Sequence, residues 1–204
     1  MAEDVASRRV VGVLLAAGAG SRLGRPKALI TDVGGHTWLE RAAEALLDGG
    51  ADPVYVVIGA DAESVRPAVP PGCAAVVAAE WAEGMGASLR AGLETVMVHH
   101  ADAEAVVVML VDTPGVGADV VRRVGAGAGP GALARATYDG VPGHPVLLGR
   151  DHWSGVLEVA HGDSGARDYL RTQHVQLIEC SDVGNGSDVD TSAALEAWHL
   201  GKRP

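Results

Sequence analysis

An apolar run that empties into a glycine-rich, basic loop constrains this chain more than any other feature. Residues 10–15 read VVGVLL and residues 16–29 read AAGAGSRLGRPKAL. No acidic residue occurs from Val5 to Thr31, whereas Arg22, Arg25 and Lys27 all fall in the loop. The whole protein of 204 residues carries a formal charge of −10, so this stretch runs against its background. A strand that delivers the backbone into small residues with free N–H groups, followed by fixed cations, can hold polyphosphate. Gly18, Gly20 and Gly24 let the backbone approach a ligand closely and permit positive φ angles.

Two well-known glycine loops do not fit. The P-loop requires Ser or Thr directly after its Lys, and Lys27 is followed by Ala28. The dinucleotide fingerprint requires a third small residue at a fixed offset. Gly18 and Gly20 match its first pair, but Leu23 stands at the third place. Taken alone, the glycines also suit a plain structural turn.

The rest of the chain alternates between helical and strand patterns. Thr37 is placed to cap a helix carrying Leu39, Ala42, Ala43, Leu46 and Leu47, which stops at Gly49-Gly50. Residues 54–58 read as a buried strand, 61–68 as a short helix before Pro70-Pro71, and 74–78 as a strand. A helical period in Leu89, Leu93 and Val96 predicts a helix over 85–98, and AVVVML at 105–110 is the strongest buried strand. A helix is expected near 117–125, followed at 125–132 by GAGAGPGA, a turn or a mobile loop. Strands are expected at 132–138, 145–148 and 174–180, and helices at 151–160, 164–172 and 191–199. This alternation predicts an α/β fold of three layers, Rossmann-like, with a mostly parallel sheet and helices on both faces. The length fits a single domain over residues 1–204. Such sheets bind ligands at the carboxyl ends of their strands, which is where the glycine loop begins.

Composition narrows the classes. Phe is absent and aromatic residues are 3%, so the core must be built from Ala, Val and Leu. No run of about 18 apolar residues exists, which predicts no membrane span. MAEDVASRRV lacks an apolar signal core, so a cytoplasmic protein is expected. Cys73 and Cys180 match no zinc or redox spacing and are expected to be reduced, buried thiols. Net acidity argues against a nucleic-acid partner. His99, His100, His152, His161, His174 and His199 form no metal spacing.

Chemistry should follow the other strand ends. The strand at 105–110 runs on through Val111 into Asp112-Thr113-Pro114, which places a carboxylate at the sheet edge. Magnesium takes one or two carboxylates together with phosphate oxygens, and Asp112 is well placed for that; a turn or cap Asp is the alternative. Asp188 and Asp190 fall on the same side of an extended segment before the last helix. Asp190 could instead simply cap that helix. Residues 84–93 read GMGASLRAGL, 143–145 read GHP and 162–167 read GDSGAR. Asp163 or Ser164 could cap the helix at 164–172, and Arg167 could reach an acceptor phosphate. A lone His such as His144 serves equally well as a local hydrogen-bonding group.

Together these strings resemble the MobA-like NTP transferase family, which joins a nucleoside monophosphate to a phosphorylated acceptor, and within it the molybdenum cofactor cytidylyltransferases. The family loop, roughly L-A-A-G-x-G-x-R-[ML]-G-x-x-K, is matched by Leu15, Ala16, Ala17, Gly18, Gly20, Arg22, Leu23, Gly24 and Lys27. The resemblance implies that residues 15–27, Ser21 included, wrap a triphosphate, with Arg22, Lys27 and Asp112 catalytic. It implies a magnesium ion (Mg2+) on Asp112 and Asp190, with Asp188 the weaker candidate. Thr113 replaces the common Met of the family's D-M-P, and Ser192 replaces the Pro of D-[IV]-D-T-P-E-D. Gly84 and Ser88 match GM-x-x-SL-x-x-GL, the cytidylyltransferase form of a segment beside the base; guanylyltransferases more often read GPLAG there. His144 and Arg167 match segments at the acceptor end of the cleft. The implied reaction moves CMP from CTP to the phosphorylated pterin of the molybdenum cofactor and releases pyrophosphate, with a molybdoenzyme as a further partner. GTP, another phosphorylated small molecule, or a non-catalytic module for molybdoenzyme maturation are the alternatives.

Overall fold

The computed structural model describes residues 9–200. The signal-peptide reading falls mainly on residues 1–8 and lies outside the described residues. Among the described residues seven strands form one sheet: β1 (Val10–Leu15), β2 (Val54–Ile58), β3 (Cys73–Val77), β4 (Ala105–Leu110), β5 (Leu133–Tyr138), β6 (Val141–Gly149) and β7 (Gln176–Glu179). Their order is β3-β2-β1-β4-β6-β5-β7. β6 runs antiparallel to both of its neighbours, and every other pairing is parallel. The helices are α1 (Trp38–Asp48), α2 (Ala62–Val65), α3 (Met85–His99), α4 (Ala118–Gly125), α5 (Trp153–Val159), α6 (Arg167–Arg171) and α7 (Ser192–His199).

Alternate residues of each strand feed two cores, as the two-residue period of a strand demands. Leu14, Val56, Met109 and Leu147 pack with α1 and α4 on one face. Val13, Val57, Val108 and Leu148 pack with α3, α5 and α6 on the other. This is the expected three-layer α/β arrangement. With no Phe available, Trp38 and Trp153, each 1% exposed, fill the largest gaps. α1 starts where Thr37 predicted: the Thr37 hydroxyl accepts from the Glu40 N–H, and Glu40 accepts from the Thr37 N–H.

Several elements differ from the sequence reading. β6 starts at Val141, not near 145, because Asp139 and Gly140 both take positive φ (51° and 79°) and close a tight hairpin with β5. Pro142 and Pro145 are tolerated because β6 pairs with β4 only from Val146 to Gly149. The helix expected at 164–172 is α6 alone; residues 162–164 form a separate turn, and Gly165 (φ 52°) breaks the path. Neither Asp163 nor Ser164 caps it, since the Ser164 hydroxyl donates to the His161 carbonyl at 2.9 Å. The helix expected at 61–68 divides into α2 and a 3-10 turn at 66–68. GAGAGPGA folds as turns, with Ala128 N–H on the Gly125 carbonyl and Ala132 N–H on the Gly129 carbonyl, both at 3.0 Å. Both cysteines are free; Cys180 is buried, but Cys73 is only partly so. Among the described residues no helix is long and apolar enough to cross a membrane.

Candidate active site

The carboxyl ends of β1 and β4 open into a cleft of about 560 Å³. Its walls are residues 15–22 with Lys27, the segment from Trp81 to Ser88, the end of β4 with Asp112, and the acidic pair Asp188 and Asp190.

The glycine loop leaves the sheet in steps. Ala16 N–H still donates to Val57 at 2.8 Å, and the Ala17 carbonyl accepts from Ala60 at 3.0 Å. Gly20 then turns at φ 59°, where a Cβ would strike the Arg25 carbonyl. The Leu23 N–H returns to the Gly20 carbonyl at 2.9 Å. Among the described residues, the N–H groups of residues 18–22 donate to no protein acceptor. Leu15, Ala16, Ala17, Gly18, Gly20, Ser21 and Arg22 all line the cleft. Free donors beside Arg22 and Lys27 are the ingredients of a polyphosphate cradle.

Opposite the loop, two distant carboxylates meet. Asp112 follows β4 in a turn closed by the buried Thr113, whose hydroxyl donates to the Leu110 carbonyl at 2.9 Å. The Asp112 carbonyl accepts from the Val189 N–H at 3.0 Å, and Val189 is buried. That docking turns Asp188 and Asp190 outward together, into the cleft. Thr191, not Asp190, caps α7 by accepting from Ala194 N–H at 3.2 Å. Asp190 is therefore free to face Lys27, which binds Asp112 at 2.7 Å and also binds Asp190. Arg22 reaches Asp190 at 3.0 Å. Burial disfavours the Lys27 ammonium, but the charges and hydrogen bonds of Asp112 and Asp190 outweigh it and raise its pKa above the ordinary lysine value. Asp188 is exposed and forms no ion pair among the described residues.

Asp112 Oδ1 is buried and has no hydrogen-bond partner. A hard divalent cation is the group that such an oxygen fits. Among the described residues no cluster of three ligating side chains exists. A cation here would thus be held by Asp112 and Asp190, with phosphate oxygens completing its shell.

Gly84 and Ser88 line the cleft at the start of α3, and Ser88 is buried. Gly84 takes φ 117°, and a Cβ there would lie 2.5 Å from the Gly162 backbone. The GMG and GDSG segments are therefore one packed unit, which also carries Asp163 into the cleft. His144 and Arg167 do not line the cleft. They lie with Arg135 on the α6 side of the sheet, and burial together with these two cations lowers the His144 pKa to about 4.

The sequence reading missed Trp81 and Arg135, and took Asp163 only as a candidate helix cap. Trp81 lines the cleft, with its Cβ 2.5 Å from where a Gly59 side chain would begin. Its signal was an aromatic three residues ahead of Gly84, in a chain with few aromatics. Asp163 was a charge inside a glycine turn, and Arg135 a cation inside the apolar strand LARATY.

The MobA-like NTP transferase domain matches residues 12–177. The chain belongs to this family. The match takes in the whole loop, residues 84–93 and Asp112, and ends before Asp188 and Asp190. The chain is 41% identical to the nicotine blue oxidoreductase of Paenarthrobacter nicotinovorans, across 89% of this chain and 92% of that protein. Over 101 residues, 45% of this chain and 43% of the relative, it is 43% identical to the 2-C-methyl-D-erythritol 4-phosphate cytidylyltransferase of Rhodococcus opacus (strain B4). The structure of Rv0371c from Mycobacterium tuberculosis H37Rv matches with a TM-score of 0.79 and 29% identity, over 95% of this chain and 99% of that one. A manganese complex of Rv0371c matches at 0.76 and 26%, over 94% and 98%. The protein is a MobA-like nucleotidyltransferase.

Proposed function

We propose that this enzyme transfers CMP from CTP to the phosphate of a pterin acceptor, the molybdenum cofactor, with magnesium, and releases pyrophosphate. The observation that carries the reading is the junction of Lys27 with Asp112 and Asp190, set beside the free N–H groups of the loop. The loop takes the triphosphate, and Arg22 and Lys27 exchange carboxylate partners for phosphate oxygens. An ionised acceptor phosphate oxygen attacks the α-phosphorus in line. A new P–O bond forms, the bond from the α-phosphorus to the oxygen that bridges it to the β-phosphate breaks, and pyrophosphate leaves with that electron pair. The acceptor is already nucleophilic when ionised, so alignment and charge neutralisation carry the catalysis. Asp112 and Asp190 would hold the magnesium, which when bound neutralises charge on the phosphate oxygens.

The GM-x-x-SL form of residues 84–89 and the partial likeness to a cytidylyltransferase support CTP. The manganese complex of Rv0371c supports a divalent cation. The test is pyrophosphate release from CTP, GTP, ATP and UTP with metal-loaded molybdopterin and magnesium or manganese. CTP is expected to give the highest kcat/KM. Equal values or a GTP preference would remove the cytidylyl assignment and leave nucleotidyl transfer standing.

One observation favours a second reading: the relative at 41% identity is named as an oxidoreductase. On that reading the cleft holds a reduced nicotinamide dinucleotide, although Leu23 stands where the dinucleotide fingerprint needs a small residue, and the dinucleotide gives a hydride to an oxidised organic acceptor. Oxidation of NADH or NADPH, unaffected by Asp112→Asn, would favour it over transfer.

A further inference from the structure

Arg90 lies in the second turn of α3, two residues beyond Ser88, and its side chain is only 17% exposed. It does not itself line the cleft. Its guanidinium works in two directions. Nη1 donates to the Ala160 carbonyl at 2.6 Å and to His161 Nδ1 at 3.3 Å. Nη2 donates to Glu83 at 2.9 Å and to Glu80 at 3.3 Å. One planar group thus joins the turn at 80–84, the body of α3 and the end of α5.

Those segments carry one wall of the cleft. Trp81, Gly84, Met85 and Ser88 belong to the first two, and Asp163 follows His161 by two residues. Gly84 and Gly86 let the two backbones come close, but that contact is one of van der Waals surfaces and fixes no direction. Among the described residues the other hydrogen bonds of the two loops are local: Glu83 N–H to the Glu80 carbonyl at 2.9 Å, Gly84 N–H to the Trp81 carbonyl at 3.1 Å, and the Ser164 hydroxyl to the His161 carbonyl at 2.9 Å. The guanidinium of Arg90 is what crosses between them. Stability alone does not call for this arrangement, because Glu80 and Glu83 are mostly exposed and such ion pairs contribute little. What a rigid fork supplies is a fixed relation between its partners.

We propose that Arg90 is a positioning residue for recognition of the nucleoside: it holds the wall of Trp81, Gly84, Ser88 and Asp163 in the place where it meets base and ribose, while the glycine loop alone takes the phosphates. This rests on the reading that puts the nucleoside beside residues 84–88. The competing role is structural, a side-chain cap on the last carbonyls of α5.

Calorimetric titration in the presence of magnesium separates the two roles. The probes are CTP, GTP and inorganic tripolyphosphate, which carries three phosphates and no nucleoside. In Arg90→Met the tighter binding of the two nucleotides is expected to weaken at least about tenfold, or about 1.4 kcal/mol, whereas tripolyphosphate should bind within about twofold of the parent. In Lys27→Ala both kinds of ligand should weaken. Arg90→Lys keeps the charge without the fork and should fall between Arg90→Met and the parent; full parental affinity would overturn the proposal. A merely structural Arg90 would lower the Tm of Arg90→Met and either leave both affinities unchanged or weaken both alike, and each of these results would overturn it. If Arg90→Met does not fold, Glu83→Ala removes a partner at an exposed site and should weaken the nucleotide about threefold while sparing tripolyphosphate; an unchanged nucleotide affinity would overturn the proposal. Tighter binding of GTP than of CTP in the parent, with the Arg90 pattern intact, would count against the cytidylyl reading alone. Absence of nucleotide binding in the parent would overturn the donor reading and the role of Arg90 with it.

Discussion

A single ammonium, that of Lys27, holds together two carboxylates that would otherwise repel each other. Its side chain is 18% exposed and that of Asp112 is 19%, so the pair is well shielded from water. Lys27→Ala should therefore lower kcat/KM by about 100- to 1,000-fold. It should also cost on the order of 1–3 kcal/mol of stability, because Asp112 is left shielded and unpaired. Added magnesium should recover part of that loss, a result read from Tm with and without the metal. Asp112→Asn and Asp190→Asn should each abolish metal-dependent transfer, whereas Asp188→Asn should keep most of it; the opposite ranking would mean that Asp188 is the ligand. At this scale the sequence was legible where residues came as strings. Lys27 and Asp112 could be read because a charge follows an apolar strand. Arg135 and Trp81 could not, since nothing in their local pattern says that a half-buried guanidinium lacks a carboxylate partner among the described residues or that an indole reaches a cleft.

Among the elements, the junction of α3 with the 160–165 segment is the most exacting. Gly86 lies in the first turn of α3, and a Cβ there would sit 2.6 Å from the Ala160 carbonyl oxygen. Ala is favoured over Gly in a helix by about 1 kcal/mol. Backbone cannot give way as a side-chain tip can, so the clash should win. Gly86→Ala is expected to be destabilising by about 1–3 kcal/mol, measured by urea unfolding, and to raise the KM for nucleotide as Gly84 and Ser88 shift. A second element prediction concerns Glu179 of β7. Hydrogen bonds from the Ser181 hydroxyl and N–H, from Thr137 and from Gly140 hold its pKa at about 2, against an ordinary 4.5. A depressed carboxyl stabilises the fold above its unfolded pKa, and the gain is lost as pH falls through the folded value. Stability should therefore drop between pH 4.5 and about 2, and Glu179→Gln should flatten that part of the curve. Element positions were legible wherever caps and periodicity agreed, as at Thr37. β6 was read too short because Pro142 argues against a strand ahead of residue 145, and only the pairing shows that it lies beyond the part shared with β4. α6 was read too long because the apolar period runs past Gly165 without marking its positive φ.

For the whole molecule, the layer order follows from alternation of apolar strands and amphipathic helices, which is why the α/β class was legible. The antiparallel insertion of β6 between β4 and β5 was not, because strand order depends on contacts remote in sequence. That distance also makes the last prediction. The site joins the loop at residues 16–28, Asp112, and the final segment bearing Asp188 and Asp190, all brought together only by folding. The final segment is tied down by a few contacts: Val189 N–H to Asp112, Asn185 N–H to the Gly115 carbonyl at 3.0 Å, the edge-on Trp38–Trp198 pair at 5.5 Å, and the ion pairs of Asp190. α7 contains no fully buried residue, so local opening there should cost less than global unfolding. A metal–triphosphate complex gripping both the loop and Asp190 binds only the closed arrangement. At about 100 times its Kd it should add roughly 2.7 kcal/mol to that arrangement. Amide exchange should then slow at residues 185–199 as well as at 16–28 when magnesium and CTP are added together. In Asp190→Asn the loop should keep its protection and α7 should lose it. Protection confined to the loop in the parent protein would show that the final segment takes no part in binding the nucleotide.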